Sequence, residues 1–127
     1  MDPALERRIR QAYADFARGD LDAAMEGFAP SAELVNPEYS MEGGGGTGLR
    51  ESFQNMHSEF EYESVDVIHV EETPGGVLVE VRARATGRRS GVPIDETFTH
   101  VLDIEDGQVV TYRWFSTLAE GREAAGL

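Results

Sequence analysis

The hydrophobic pattern of this chain changes period once, and that change constrains the fold more than any other feature. From Tyr62 onward apolar and polar residues alternate: Val77, Val79, Val81, Ala83 and Ala85 interleave with Leu78, Glu80, Arg82 and Arg84. A period of two places successive side chains on opposite faces of a strand, whereas apolar residues before Tyr62 recur every three or four, as on a helix. Turn sequences divide the C-terminal half at Thr73-Pro74-Gly75-Gly76, Ser90-Gly91-Val92-Pro93 and Glu105-Asp106-Gly107-Gln108. They predict four long strands over 62–72, 76–89, 94–104 and 108–117. Connections this short make neighbouring strands antiparallel.

The N-terminal part reads as helical. Asp2 can cap a first helix with Pro3 at its first position, and Leu5, Ile9, Ala12, Tyr13 and Phe16 share one face up to Gly19. Asp20 can cap a second, short helix that carries Leu21, Ala24, Met25 and Phe28 and is closed by Pro30. Ala32 to Val35 reads as a brief edge strand halted by Asn36-Pro37. Pro37 to Gly46 reads as a loop, with the glycine run from Gly43 to Gly46 a candidate flap. A third helix follows, with Leu49, Phe53, Met56 and Phe60 at helical spacing. Helices first and a meander afterwards predict one α+β domain over residues 1–127, a curved antiparallel sheet wrapped around the three helices. A chain of this length can bury a continuous core unaided.

Charge and composition exclude several classes. The net charge of −13 repels phosphate backbones and anionic membranes, so neither nucleic acid nor a membrane is expected as a partner. Without cysteine there is no disulfide, thiolate nucleophile or cysteine metal site. No apolar run approaches the ~20 residues that cross a bilayer. Met1-Asp2-Pro3 leads directly into a charged amphipathic stretch rather than a signal peptide, so a cytoplasmic location is the default expectation. His57, His69 and His100 lack metal-ligand spacing within any one element, although His69 and Glu71 form a pair on one strand face. The glycine run lacks the lysine of a phosphate-binding loop. No metal and no cofactor are expected.

The strand from Ile94 to Ile104 places Ile94, Glu96, Phe98, His100, Leu102 and Ile104 on one face, read as the buried one. His100 is therefore a titratable group within an apolar stripe. It is either a core histidine satisfied by a hydroxyl or carbonyl, or an acid–base group in a pocket wall. In the last strand Val110, Tyr112, Trp114 and Ser116 oppose Val109, Thr111, Arg113 and Phe115, and both faces are partly apolar. One face is expected against the helices and the other against a second copy, giving a homodimer through the outer sheet face. Candidate ligand-binding residues are Phe16, Val35, Phe53, Met56, Phe98, Leu102, Tyr112 and Trp114, a set suited to a small apolar or cyclic molecule bearing one or two oxygens.

Several segments together resemble the nuclear transport factor 2-like superfamily, in particular its SnoaL-like branch. They are Tyr13 to Ala23, Gly48-Leu49-Arg50-Glu51, Ser90-Gly91-Val92-Pro93 and Thr99 to Val110. The resemblance covers nearly the whole chain and implies a cone-like α+β barrel with a pocket at its open end and frequent dimers. It also allows a position-by-position comparison. Ketosteroid isomerase, a member of this superfamily, uses an aspartate base, a tyrosine and a protonated aspartate. The corresponding positions here are Asn36, Ala12 beside Tyr13, and His100. A neutral amide cannot take a proton, so the steroid-isomerase mechanism is not implied. The acid–base aspartate of SnoaL-type cyclases also falls on His100. The Asp-Arg-Asp cluster of epoxide-hydrolase relatives has no counterpart, since Arg82, Arg84 and Arg113 fall on polar or outer faces. The candidate catalytic residues are thus His100, moving a proton next to a carbonyl, and Tyr13 and Asn36, holding the enolate oxygen, with Tyr112 as a further donor. The alternatives are a non-catalytic ligand-binding domain and a dimerisation module.

Overall fold

A computed structural model describes residues 1–35 and 46–127. The chain runs α1 (Pro3–Ala17), α2 (Leu21–Ala24), β1 (Phe28–Val35), α3 (Gly46–Glu59), β2 (Phe60–Thr73), β3 (Gly76–Gly87), β4 (Pro93–Glu105), β5 (Gln108–Phe115) and α4 (Leu118–Ala124). Asp2 caps α1 through a 2.9 Å bond from the Ala4 amide, and Asp20 caps α2 through the Ala23 amide. The five strands form one sheet in the order β1-β5-β4-β3-β2. The meander is antiparallel, as its turns predict; Asp106 and Gly107 both take positive φ in the β4–β5 hairpin. β1 joins the far edge parallel to β5.

Register shifts in β2 after Tyr62 and Val67, and between β4 and β5 at Asp103, bend the sheet. On its concave face Val79 pairs with His100, Val81 with Phe98, His100 with Trp114 and Leu102 with Tyr112. Ile9, Val77, Val79, Val81, Leu102 and Tyr112 form the main core beneath α1. Ala32, Leu49 and Phe53 centre a second cluster that takes in Phe16, Leu21 and Met56.

Four local expectations need correction. α2 ends at Ala24, so Phe28 and Pro30 belong to β1 rather than to a longer second helix. Pro30 is tolerated there because β1 is an edge strand and its pairing with β5 is irregular between Phe28 and Glu33. Phe60 opens β2 instead of ending α3. β3 ends at Gly87, where the bonds from the Gly87 amide to Val92 O and from the Gly91 amide to Gly87 O turn the chain. β5 ends at Phe115 because Thr117 caps a fourth helix, its hydroxyl accepting from the Glu120 amide at 3.1 Å.

This α4 packs on the convex face, against β3, β4 and β5. It buries Leu78, Thr99 and Val101, each with no exposed surface. β4 is therefore covered on both faces between Thr99 and Leu102, not on one alone. Among the described residues no helix is long and apolar enough to cross a membrane.

Candidate functional site

Three polar side chains from three elements meet in the concave core. His100 projects from the central strand β4 and is 4% exposed. The Tyr13 hydroxyl oxygen, from α1, lies 2.7 Å from His100 Nδ1. The Tyr112 hydroxyl oxygen, from β5, lies 2.9 Å from Nδ1 and 2.8 Å from Nε2. One oxygen cannot align with both ring nitrogens, and a neutral imidazole offers one donor and one acceptor. The tautomer that engages every group protonates Nε2. Tyr13 O–H then donates to Nδ1, Nε2–H donates to the Tyr112 oxygen, and the Tyr112 hydroxyl is left to bond Tyr13.

The electrostatics of the cluster follow from burial. Desolvation pushes the His100 imidazole down to about 3, so it is neutral at physiological pH. Desolvation raises both tyrosine hydroxyls far above their usual range. Tyr62, on the same side, is also raised, first by burial and then by the nearby carboxylates of Glu59 and Glu96. The cluster thus disfavours a formal charge of either sign.

Aromatic rings surround it. Phe98 lies 4.9 Å from the His100 ring centroid and 6.4 Å from that of Trp114, and Tyr112 lies 4.2 Å from His100. His100, Tyr13, Tyr112, Phe98, Leu102 and Trp114 are therefore brought together. Phe16, Phe53 and Met56 fall in the second cluster, joined to the first where Phe53 meets Tyr112 at 6.1 Å. Val35 ends β1 and is 39% exposed. Asn36 and the Pro37–Gly46 loop, apart from Gly46 at the start of α3, lie outside the described residues. His57 is half-buried, and its Nε2 lies 2.6 Å from Phe16 O, tying α3 to the end of α1. His69 and Glu71 pair at 3.2 Å, as their spacing implies. Among the described residues no three acidic or histidine side chains converge as metal ligands.

Three features are absent from the expectations above. Asp15 is 4% exposed, and its Oδ1 accepts from Gln11 at 2.9 Å and from Arg18 at 2.6 and 3.1 Å, fastening the end of α1. α4 carries a legible signal, since Thr117-Leu118-Ala119-Glu120 is a capping box. The unbroken Val77-Leu78-Val79 run likewise marks a strand buried on both faces.

Solved structures share this cone-like α+β architecture. A protein provisionally assigned as a polyketide cyclase from Xanthomonas campestris pv. campestris matches with a TM-score of 0.77 at 19% identity, over 91% of this chain and 92% of that one. A provisionally assigned SnoaL-like polyketide cyclase from Jannaschia sp. CCS1 matches at 0.76 and 19%, over 95% and 90%. A protein with a ketosteroid isomerase-like fold from Catenulispora acidiphila DSM 44928, in complex with trimethylamine, matches at 0.75 and 12%, over 100% and 95%. No functionally curated protein matches the sequence. Residues 9–112 match the SnoaL-like domain, and the chain belongs to that family.

Proposed function

We propose that this protein binds a cyclic, largely apolar small molecule through a carbonyl or hydroxyl oxygen at Tyr13, His100 and Tyr112, and shifts a proton next to that carbonyl as isomerases and cyclases do. The reading rests on one observation: two tyrosine hydroxyls bracket a buried imidazole on the concave face. Both hydroxyls are held protonated, and a carbonyl oxygen would take their protons in exchange for the Tyr13–His100 and Tyr112–Tyr13 hydrogen bonds. When Tyr13 turns from Nδ1 to the ligand oxygen, the Nδ1 lone pair that it occupies is released to face the adjacent C–H. A base held near 3 is weak on its own. Its protonation and the growing negative charge on the enolate arise together, however, and at close range in a dry site each stabilises the other. His100 returns the proton at a second carbon, so the cycle closes without a cofactor. Phe98, Leu102 and Trp114 supply the apolar wall, and a second copy is proposed to dock on the part of the outer face that α4 leaves open.

The experiment is a titration with cyclic ketones, phenols and steroid-like compounds, following emission of the single tryptophan, Trp114. Saturable quenching followed by turnover that His100→Ala abolishes supports the reading. No response across the panel refutes it. A second reading, a non-catalytic dimerisation module, is favoured by the mutual satisfaction of the three polar groups. It predicts no ligand response and a dimer that persists at nanomolar dilution.

A further inference from the structure

All cationic side chains of the chain other than histidine are arginines, 11 in number, and every one falls within the described residues. Among the described residues none is hydrogen-bonded to the Tyr13–His100–Tyr112 cluster, and Arg10, on α1 with Tyr13, donates to Val67 O. Arg82, Arg84 and Arg113 lie on the convex face, bonded to Asp95, Ser64 and Asp103 respectively. The others sit at the surface, exposed or tied to carboxylates and backbone carbonyls elsewhere. His57 is engaged with Phe16 O, His69 with Glu71, and the N-terminal amine with Glu72.

Among the described residues the groups packed around the cluster are neutral, Ile9 from α1 and Phe28 from β1 among them. β3 presents Val79 and Val81, and β2 presents Val67 and Val70. β4 adds Phe98 and Leu102, and β5 adds Trp114. The carboxylates of Glu59 and Glu96 act on Tyr62, which in turn acts on Tyr112. A ligand that arrives already anionic therefore meets hydroxyl dipoles but no compensating cation. Desolvating an unpaired anion is far more costly than desolvating a neutral oxygen.

We propose that the Tyr13–His100–Tyr112 cluster selects ligands by charge state, accepting an uncharged ketone or phenol oxygen and rejecting phenolates and carboxylates. This rests on the reading that the cluster receives the ligand. It narrows the substrate class to neutral cyclic ketones and un-ionised phenols, because the mechanism creates charge only as an enolate–imidazolium pair. A preformed anion has no such partner.

The test uses the wild-type protein and a nitrophenol, whose ionisation near neutrality is visible in its absorbance. A cyclic ketone, uncharged throughout, is the control. Affinity is measured from pH 5 to pH 9 by Trp114 quenching, and the ionisation state of the bound phenol by difference absorbance. Ketone affinity is expected to stay level. Phenol affinity should fall about tenfold per pH unit above the phenol's own pKa, with the bound spectrum that of the neutral form. A phenolate spectrum in the complex, or phenol affinity unchanged across the range, overturns the charge selection and leaves the binding reading standing. Binding of neither compound at any pH removes both.

Discussion

Gly121→Ala sets two effects of opposite sign against each other, and the structure decides between them. Gly121 lies in the middle of α4, where alanine favours the helix by about 1 kcal/mol. On that count alone the variant gains stability. A Cβ at this position, however, would stand 2.5 Å from Thr99 Cγ2, 3.3 Å from Thr99 Cβ and 3.5 Å from Leu78 Cδ1. Thr99 cannot yield cheaply. It is fully buried on the central strand, between β3 and β5, and its branched side chain has few alternative rotamers. Overpacking of this kind costs about 1–3 kcal/mol, and the shortest contact places this site toward the upper part of that range. The net expectation is a loss of about 1–2 kcal/mol, or roughly 3–8 °C in melting temperature for a chain of this size. Urea denaturation of wild type, Gly121→Ala, Thr99→Ser and the double variant completes the cycle. Serine removes the offending Cγ2, so in that background alanine should be neutral or slightly stabilising, with a coupling of about 1–2 kcal/mol. A Gly121→Ala variant more stable than wild type refutes the packing of α4 on Thr99.

Three further outcomes are expected. Among the described residues Thr99 Oγ1 is buried without a hydrogen-bond partner, so Thr99→Val should raise stability by about 1 kcal/mol in chemical denaturation, and a loss contradicts this. Tyr112→Phe takes a partner from the His100 ring and should cost about 1–2 kcal/mol; an unchanged midpoint shows that the hydroxyl is not engaged. The folded His100 has its pKa lowered from 6.5 to about 3, so between those values the unfolded chain binds the extra proton. The resulting stability is present above pH 6.5 and is lost on acidification, by about 1.4 kcal/mol per pH unit well below 6.5. His100→Gln should lose less on acidification than wild type when both are followed from pH 7 to pH 4, the surface carboxylates contributing alike to each. Parallel curves would show that His100 titrates normally.

Most of the architecture is legible in the sequence because it follows from periodicity and turn chemistry. The meander is written in the alternation from Val77 to Ala85, and its hairpins in glycine-bearing turns, so its strand boundaries fall within a few residues of those expected. Phe28 and Phe60 differ from expectation because an aromatic residue at helical spacing just beyond a helix looks like its continuation; only the pairing of Phe28 with Val109 and of Phe60 with Gly87 shows them to be strand residues. His100 stands out as a polar group in an apolar stripe. Tyr13 and Tyr112 are named with it as donors, but their direct bonds to its ring are not legible, because they are 87 and 12 residues away in sequence and meet it only through the tertiary fold. Beyond its capping box, α4 leaves little trace in the sequence, because its apolar face is short and its docking residue, Gly121, acts by having no side chain.

The parallel edge has a kinetic consequence. β2 to β5 are joined by hairpins whose contacts are local, whereas Phe28 pairs with Val109 across most of the chain. Closing so long a loop is entropically costly, so the meander is expected to assemble first and the N-terminal segment to dock late. The late-docking segment brings α1, and with it Tyr13, to a strand already carrying His100. Tyr13→Phe should consequently speed unfolding and leave the folding rate nearly untouched, and a φ-value near 1 at this position would reverse that order. His100 thus acquires its full set of partners only in the final folding step, which makes its ring protons a reporter of completed folding.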